Sequence, residues 1–566
     1  MQFVGGLVLS CAIAIPIATA RGALLGTNLF PADNPWNQNI SQAPVATNSA
    51  AIMSSIIATY GNGRFHPDFG QDYQTASTDL YGIPYNVVHS NTTARVHVVI
   101  DAYLDQSDLL DAPIPANAVI EGDMQTAPTV GVDNRGDSHL LVWDEDNNVA
   151  YEFYRASRPS ENTDGQWHAD QESVWDMKTN TFRALGWTSA DAAGLPILPG
   201  LALSDEALPT SQGGQGIIRH ALRFTLPNAA ILNQYLYPGS HTANPGNTNR
   251  SIQPPMGARF RLKAGVDIST LNPQSKVVAQ ALKDYGLIVA DNGSAFYLTG
   301  ASYSVGAANQ FALTWNDNDI QDTAHGLKSL LFTNFEVVDL SPAVTNLSPA
   351  QAGAGASVTI SGRNYSGAAG RLGVWFGSNQ VPAMVTDDAH VTTIAPPGSG
   401  TVDVRVQSGL TNANSSANYT RPIWGYGLSV TSSVARFTYQ SLDPFHAWLA
   451  SYGLPSDGSA DYLDSDGNGL NNWQEYLAGT NPTNASSVFK ITGGQVLPGG
   501  QFVLRWLSVS NRLYDVMRGT NLAAGAGAFV PVPGATNLAG TSPQNTWTNS
   551  VSSTSTRAFY RLTAHQ

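Results

Sequence analysis

The sequence has almost no cysteine, little charge and no second long apolar run, and each shortage removes a class of function. One cysteine, Cys11, stands among 566 residues. It lies in a leading segment that the sequence marks for removal, so the mature chain has no thiol, and disulfides, thiolate metal sites and cysteine catalysis are excluded. Charged residues are 12% of the chain, and 28 basic against 42 acidic residues leave a net charge of −14. A field of that sign repels phosphate backbones and anionic headgroups, which argues against nucleic acid as a partner. Past residue 20 no stretch approaches the roughly 20 apolar residues a spanning helix needs, so no transmembrane span is expected. Familiar catalytic signatures are missing as well. The chain has no G-x-S-x-G elbow, no H-E-x-x-H zinc helix, no P-loop and no Rossmann fingerprint, which sets aside serine hydrolase, zincin and nucleotide chemistry.

The leading segment is an apolar run from Phe3 to Ile17 followed by Ala18-Thr19-Ala20 before Arg21. That small-x-small ending is what a signal peptidase cuts after, so residues 1–20 are expected to be a signal peptide and the protein secreted or cell-surface associated. Apolar residues make up 42% of the chain, with 53 Gly and 32 Pro. This balance supports packed cores joined by many turns. A chain of this length exceeds one domain, and the pattern predicts a mainly β protein. Its expected parts are a large sandwich or jelly-roll-like N-terminal domain at 27–340, an immunoglobulin-like sandwich at 341–440, a short helical linker at 441–484 and a small β-sandwich at 485–566.

The sharpest motif lies in that linker. In 464–475 the residue types fall on the positions of a twelve-residue calcium loop. Asp464, Asp466 and Asn468 offer side-chain oxygens at loop positions 1, 3 and 5, and Leu470 offers a carbonyl at position 7. Gly469 sits at the sharp turn and Glu475 closes the site. Hard oxygen donors at this spacing select Ca²⁺ over softer metals. The alternative is a solvated acidic turn capping a helix over 472–478. The segment resembles dockerin-like or thrombospondin type 3-like calcium repeats, which implies a structural Ca²⁺ clip, with 443–454 as its packing helix.

Upstream, Val344-Thr345-Asn346-Leu347-Ser348-Pro349, Val358-Thr359-Ile360-Ser361-Gly362, Val374-Trp375-Phe376-Gly377, Ala395-Pro396-Pro397-Gly398 and Val402-Asp403-Val404-Arg405-Val406 alternate in and out between Gly and Pro turns. These residues resemble an IPT/TIG domain, with an insertion at 423–427, and the resemblance implies a spacer or binding support. Beyond 484, Phe502-Val503-Leu504-Arg505-Trp506 and Ala558-Phe559-Tyr560-Arg561-Leu562 repeat the two-residue period of a second small sandwich. Trp547 there is either a sugar-stacking or a core residue.

Any chemistry is expected in 27–340, which holds eight of the 11 histidines. Strands are predicted around 96–100, 140–143, 221–225 and 259–263, with polar residues on one face. Helices are predicted over Ser49–Tyr60 and over 275–285. Polar residues interrupt these apolar strands: Glu121, His139, Asp144, Glu152, His220 and Arg223, with Arg261 and Lys263 further on. Carboxylates, histidines and arginine beside aromatics suit a polysaccharide cleft, where two carboxylates or a His–Tyr pair move the protons. Each residue taken singly also fits a satisfied buried position. The irregular segment 186–200 reads as a functional loop, and Asn316–Asp319 as a polar turn. Segments Asn34-Pro35-Trp36-Asn37, 186–200 and His220-Ala221-Leu222-Arg223-Phe224-Thr225 resemble those of uncharacterised secreted bacterial proteins. The expected function is a secreted glycoside hydrolase or polysaccharide lyase acting on extracellular polysaccharide. The alternatives are a non-catalytic binder of cell-surface glycan and a structural wall component.

Overall fold

The computed structural model describes residues 23–71, 80–123, 137–243, 246–302, 304–305, 315–365, 372–408, 429, 434–440, 443–456, 458–522, 529–550 and 557–566. The signal segment with Cys11 and the insertion at 423–427 lie outside these residues. The chain divides into two compact units. One is drawn from Met1–Ala350, Ser357–Pro396 and Val402–Phe437, the other from Gln351–Ala356, Pro397–Thr401 and Thr438–Gln566. The protein is mainly β, as its alternation and turn content predict.

The N-terminal part of the first unit is built on two mixed sheets. The first runs in the order Gln171–Asp176, Val149–Tyr154, Leu140–Asp144, Tyr85–Val88, Ser304–Val305. Its first three strands are antiparallel neighbours, whereas Tyr85–Val88 runs parallel to Leu140–Asp144. The second runs in the order Phe335–Val337, Arg259–Leu262, Leu287–Asn292, Leu222–Leu226, Tyr297–Thr299, His66–Asp68. At its centre Leu222–Leu226 and Leu287–Asn292 are parallel. Continuous apolar runs such as Leu287-Ile288-Val289-Ala290 explain this, because a strand covered on both faces has no polar side to alternate with.

The expectation of one polar face therefore fails for these strands. Trp143, Leu141 and Val87 enter the main core, while Leu140, Val142 and Phe153 pack into a second core on the opposite face of the same sheet. Arg259 and Arg261 are buried structural donors. Arg259 bonds the Tyr285 and Pro35 carbonyls at 2.7 Å each, and Arg261 reaches Glu336 at 2.6 Å.

Both expected helices form, as Ser49–Tyr60 and Pro273–Asp284. The second starts two residues before the sequence pattern suggests, because Pro273 presets its first turn. The carboxylate of Asp319 accepts from the Gln274 and Ser275 amides at 3.0 and 3.2 Å. The segment expected as a polar turn at 316–319 instead forms a short helix, Asp317–Ile320, whose Asp319 caps the helix Pro273–Asp284. Between helix and strand, Gly286 has φ 71°, and a Cβ there would collide with the Phe260 carbonyl.

Farther along the unit, Ala343–Ser348, Ser357–Arg363, His390–Ile394 and Met384–Asp387 form one antiparallel sheet, and Gly373–Phe376 pairs with Asn379–Pro382 and Thr401–Gln407 in another. Inward residues Val358, Ile360, Val374, Phe376, Val391 and Val404 are buried, as the period-two pattern requires.

In the second unit, helices Pro444–Ser451 and Asn472–Ala478 pack through Phe445, Leu449 and Tyr476. A small β module follows. Ile491–Leu497, Gln501–Leu507 and Gln544–Ser550 form one sheet, and Leu513–Gly519 pairs with Phe559–His565. Trp506, Tyr514 and Val516 form its core, with Trp547 packed against them, which favours the core reading of that tryptophan.

Candidate acid–base site and calcium loop

His139 enters the strand Leu140–Asp144 from Ser138, whose φ of 49° turns the chain sharply. Its ring is buried and both nitrogens meet acceptors. Nδ1 donates to Glu121 Oε2 at 2.7 Å and Nε2 to the Ala190 carbonyl at 3.0 Å. A carbonyl only accepts, so Nε2 carries a proton, and the carboxylate holds the other. Burial disfavours the charged ring, but Glu121 outweighs it and raises His139 to about 9. Burial alone would raise Glu121 too; the charge and hydrogen bonds of His139 overcome that and hold it below the ordinary carboxylate range.

Arg223, on Leu222–Leu226, lies at the floor of the same cluster. It takes Asp191 through Nε at 2.9 Å and Nη2 at 2.8 Å, donates to Thr299 Oγ1 at 2.6 Å and stands 3.5 Å from Asp291. Thr299 is the register partner of Asp68 on the adjoining parallel strand. Asp68 and the largely buried Asp291 are two carboxyls that feel the charge of Arg223. Burial raises Asp291 to about 8, with the charge of Asp191 adding to the effect. Burial also raises Asp68, to about 6, with a contribution from Glu121. Tyr154 lies beside the His139 ring, and burial pushes its phenol up to about 12.

The loop 186–200 is stitched to both sheets. Ala190 accepts from His139, Asp191 holds Arg223, the Ala193 amide bonds the Ala290 carbonyl at 2.9 Å, and Ile197 and Leu198 donate to Glu152. Glu152 takes those two amides at 2.9 and 2.8 Å and the Trp175 indole at 3.1 Å. Burial raises its carboxyl to about 7 against the pull of these donors. Its oxygens are fully engaged, which makes it the anchor of the loop.

Of the residues singled out in the sequence, Glu121, His139, Glu152 and Arg223 come together. Asp144 and His220 do not join them. Asp144 ties the following turn by accepting from Asn147 Nδ2 at 2.8 Å. His220 pairs with buried Glu206 at 2.8 Å and gives its other ring nitrogen to the Ala221 carbonyl, also at 2.8 Å. Asp68, Asp191, Asp291 and Thr299 were missed. Only Asp291 carried a usable signal, as an acid ending a fully apolar run.

At 464–475 the chain makes a tight acidic turn. Asp464 accepts from the Gly467, Asn468 and Gly469 amides at 2.8, 3.1 and 2.9 Å. The Asn468 NH₂ bridges Asp466 Oδ2 at 3.2 Å and Glu475 Oε1 at 3.1 Å, the position a cation between two carboxylates would take. Glu475 is fully buried and its Oε2 has no hydrogen-bond partner. Burial raises its carboxyl, with Asp466 and Asp464 adding to the shift. An orphaned buried carboxylate oxygen facing this turn fits a hard cation. Among the described residues no three His, Cys, Asp or Glu side chains are grouped so as to hold a metal, and a ligand set here would draw also on the Asn468 side chain and the Leu470 carbonyl.

Residues 342–421 match the IPT/TIG domain, and this segment of the chain is such a domain. No curated protein matches the sequence. Among solved structures, an auxiliary nutrient binding protein from Bacteroides ovatus is 18% identical, over 18% of this chain and 21% of that one, with a TM-score of 0.14. A γ-CGTase from an alkalophilic Bacillus clarkii is 16% identical, over 20% of this chain and 14% of that one, at a TM-score of 0.13. SGBP-B from a xyloglucan utilization locus of Bacteroides uniformis is 9% identical, over 42% and 71% of the two chains, at 0.13. The chain spans only about a fifth of the first of these relatives. No helix among the described residues is long and apolar enough to cross a membrane.

Proposed function

We propose that the chain is an exported protein that acts on polysaccharide through general acid–base chemistry in its N-terminal region, with the IPT/TIG domain and the C-terminal sandwich as carriers. The observation that supports this is the divergence of two carboxyls around Arg223. Glu121 is held ionised by His139, while Asp291 is raised to about 8 and so protonated near neutral pH. Both carboxyls feel the charges of Arg223 and His139, and environments that push two carboxyls of one site apart assign the acid and the base. Asp291 is the proton donor to the leaving glycosidic oxygen, and Glu121 or Asp68 is the carboxylate that faces the developing positive charge or activates water.

Between the two enzyme readings, hydrolysis is favoured over elimination. A lyase base must accept a proton from the sugar ring. His139, with both nitrogens donating, has no lone pair for that, and Tyr154, pushed up to about 12, is a poor base. We further propose Ca²⁺ as a structural clip held by Asp464, Asp466, Asn468, Leu470 and Glu475. When bound it supplies charge that lets these acids sit together.

The full chain incubated with neutral and uronic polysaccharides tests the reading. New reducing ends that fall about 100-fold or more in Asp291→Asn support hydrolysis. Ultraviolet absorbance of unsaturated uronates would instead mark a lyase. Retention on one glycan without products would mark the non-catalytic binder, and neither turnover nor retention on any glycan overturns the proposal.

A further inference from the structure

The segment 101–111 exposes more apolar surface than its rigidity requires. Tyr103, Leu104, Leu109 and Leu110 are 40, 57, 48 and 51% exposed, all within eight residues. Single exposed leucines are ordinary, but a contiguous group is not. Nor is this a slack loop. The Asp101 and Tyr103 amides bond the Ala169 and Asp170 carbonyls at 2.8 Å each, and Asp108 accepts from the Val174 amide at 2.7 Å and from Arg183 at 2.8 Å.

Beneath the segment, buried Glu172 receives the Leu110 amide at 3.2 Å, and the chain turns outward at Leu109 with φ 54°. A leucine in the left-handed region is held there against its preference. The backbone is therefore held by these bonds with Leu104, Leu109 and Leu110 exposed.

Charge defines what would cover them. Asp101, Asp105 and Asp111 are exposed around the apolar group, and 101–111 contains no Lys or Arg. Among the described residues His168 stands 3.0 Å from Asp101 and His97 3.4 Å from Asp111, Arg183 pairs with Asp108 and Arg95 bonds the Asp111 carbonyl, and no ion pair engages Asp105. We propose that this face docks a segment of a partner protein that presents apolar side chains interleaved with lysine or arginine. The leucines supply a dry centre, and the aspartates form a charged rim that selects a basic partner.

The test uses the full chain and two synthetic peptides, one alternating leucine with lysine and one alternating leucine with glutamate. The lysine peptide is expected to bind, to weaken with added salt, and to lose about tenfold or more in affinity to Leu104→Ser/Leu110→Ser. Circular dichroism and Tm unchanged in that double variant show that the loss is not unfolding. Equal binding of both peptides, or lysine-peptide binding that the double variant leaves intact, overturns the proposal. So does a native dimer that the double variant converts to monomer, since the occupant would then be a second copy of this chain.

Discussion

Arg223 and Asp191 meet side-on, two parallel N–H···O bonds of 2.9 and 2.8 Å joining the central strand of the second sheet to the loop 186–200. Both residues are buried, so the pair cannot be opened from one side without leaving a charge in a dry interior. Arg223→Met is expected to lower stability by about 3–5 kcal/mol, measured by urea unfolding of the full chain. The double variant Arg223→Met/Asp191→Leu should recover most of that loss. If the double variant is as unstable as the single one, the pair is not the link that holds the loop.

The pH dependence of stability follows from His139. Its folded pKa, about 9, lies above the unfolded value of 6.5. Such a group contributes stability that is fully present below the unfolded value and lost as pH rises through the folded one. Asp291, raised to about 8, acts in the same direction, because its protonated form is the one the fold favours. The Tm of the N-terminal transition is therefore expected to fall between pH 6.5 and 9, and His139→Gln should flatten that slope. If hydrolysis is found, its alkaline limb should lie near pH 8 and disappear in Asp291→Asn. A Tm that rises across the same interval would contradict the assignment.

Much of this was legible in the chain. Ser49–Tyr60 and Asn472–Ala478 form over the residues expected of them, the second behind a capping turn, because such signals are local. The IPT/TIG segment was legible for the same reason, its short strands being punctuated by Gly and Pro. The parallel pairing of Leu222–Leu226 with Leu287–Asn292 was not, since pairing across 60-odd residues leaves no local trace.

The site shows the same limit. His139 and Glu152 stood out as polar residues in apolar strands. Asp191 did not, because an aspartate in a loop looks the same whether it is solvated or buried against an arginine. His220 had the same local signature as His139, yet its partner Glu206 belongs to a separate buried pair. Spacing along the chain cannot tell two such histidines apart; only the partner each one finds in the fold does so.

The calcium proposal makes the last prediction. Helix Asn472–Ala478 carries Glu475, and its final carbonyls are held by Arg512, which bonds Tyr476 at 2.9 Å and Leu477 at 3.1 Å. Tightening the loop around a cation would therefore steady the contact between this helix and the small β module of the same unit. A ligand that binds only the folded state stabilises it by about 2.7 kcal/mol at a hundredfold excess over Kd. Millimolar Ca²⁺ is expected to raise the Tm of the C-terminal transition of the full chain, and EGTA to reverse the rise. Glu475→Gln removes the closing charge, so it should abolish the Ca²⁺ response while raising Tm in EGTA, since burying a neutral amide costs less than burying an unpaired carboxylate. A Ca²⁺-induced rise that survives in Glu475→Gln, or none in the native chain, would mean that the acidic turn is a helix cap and not a metal site.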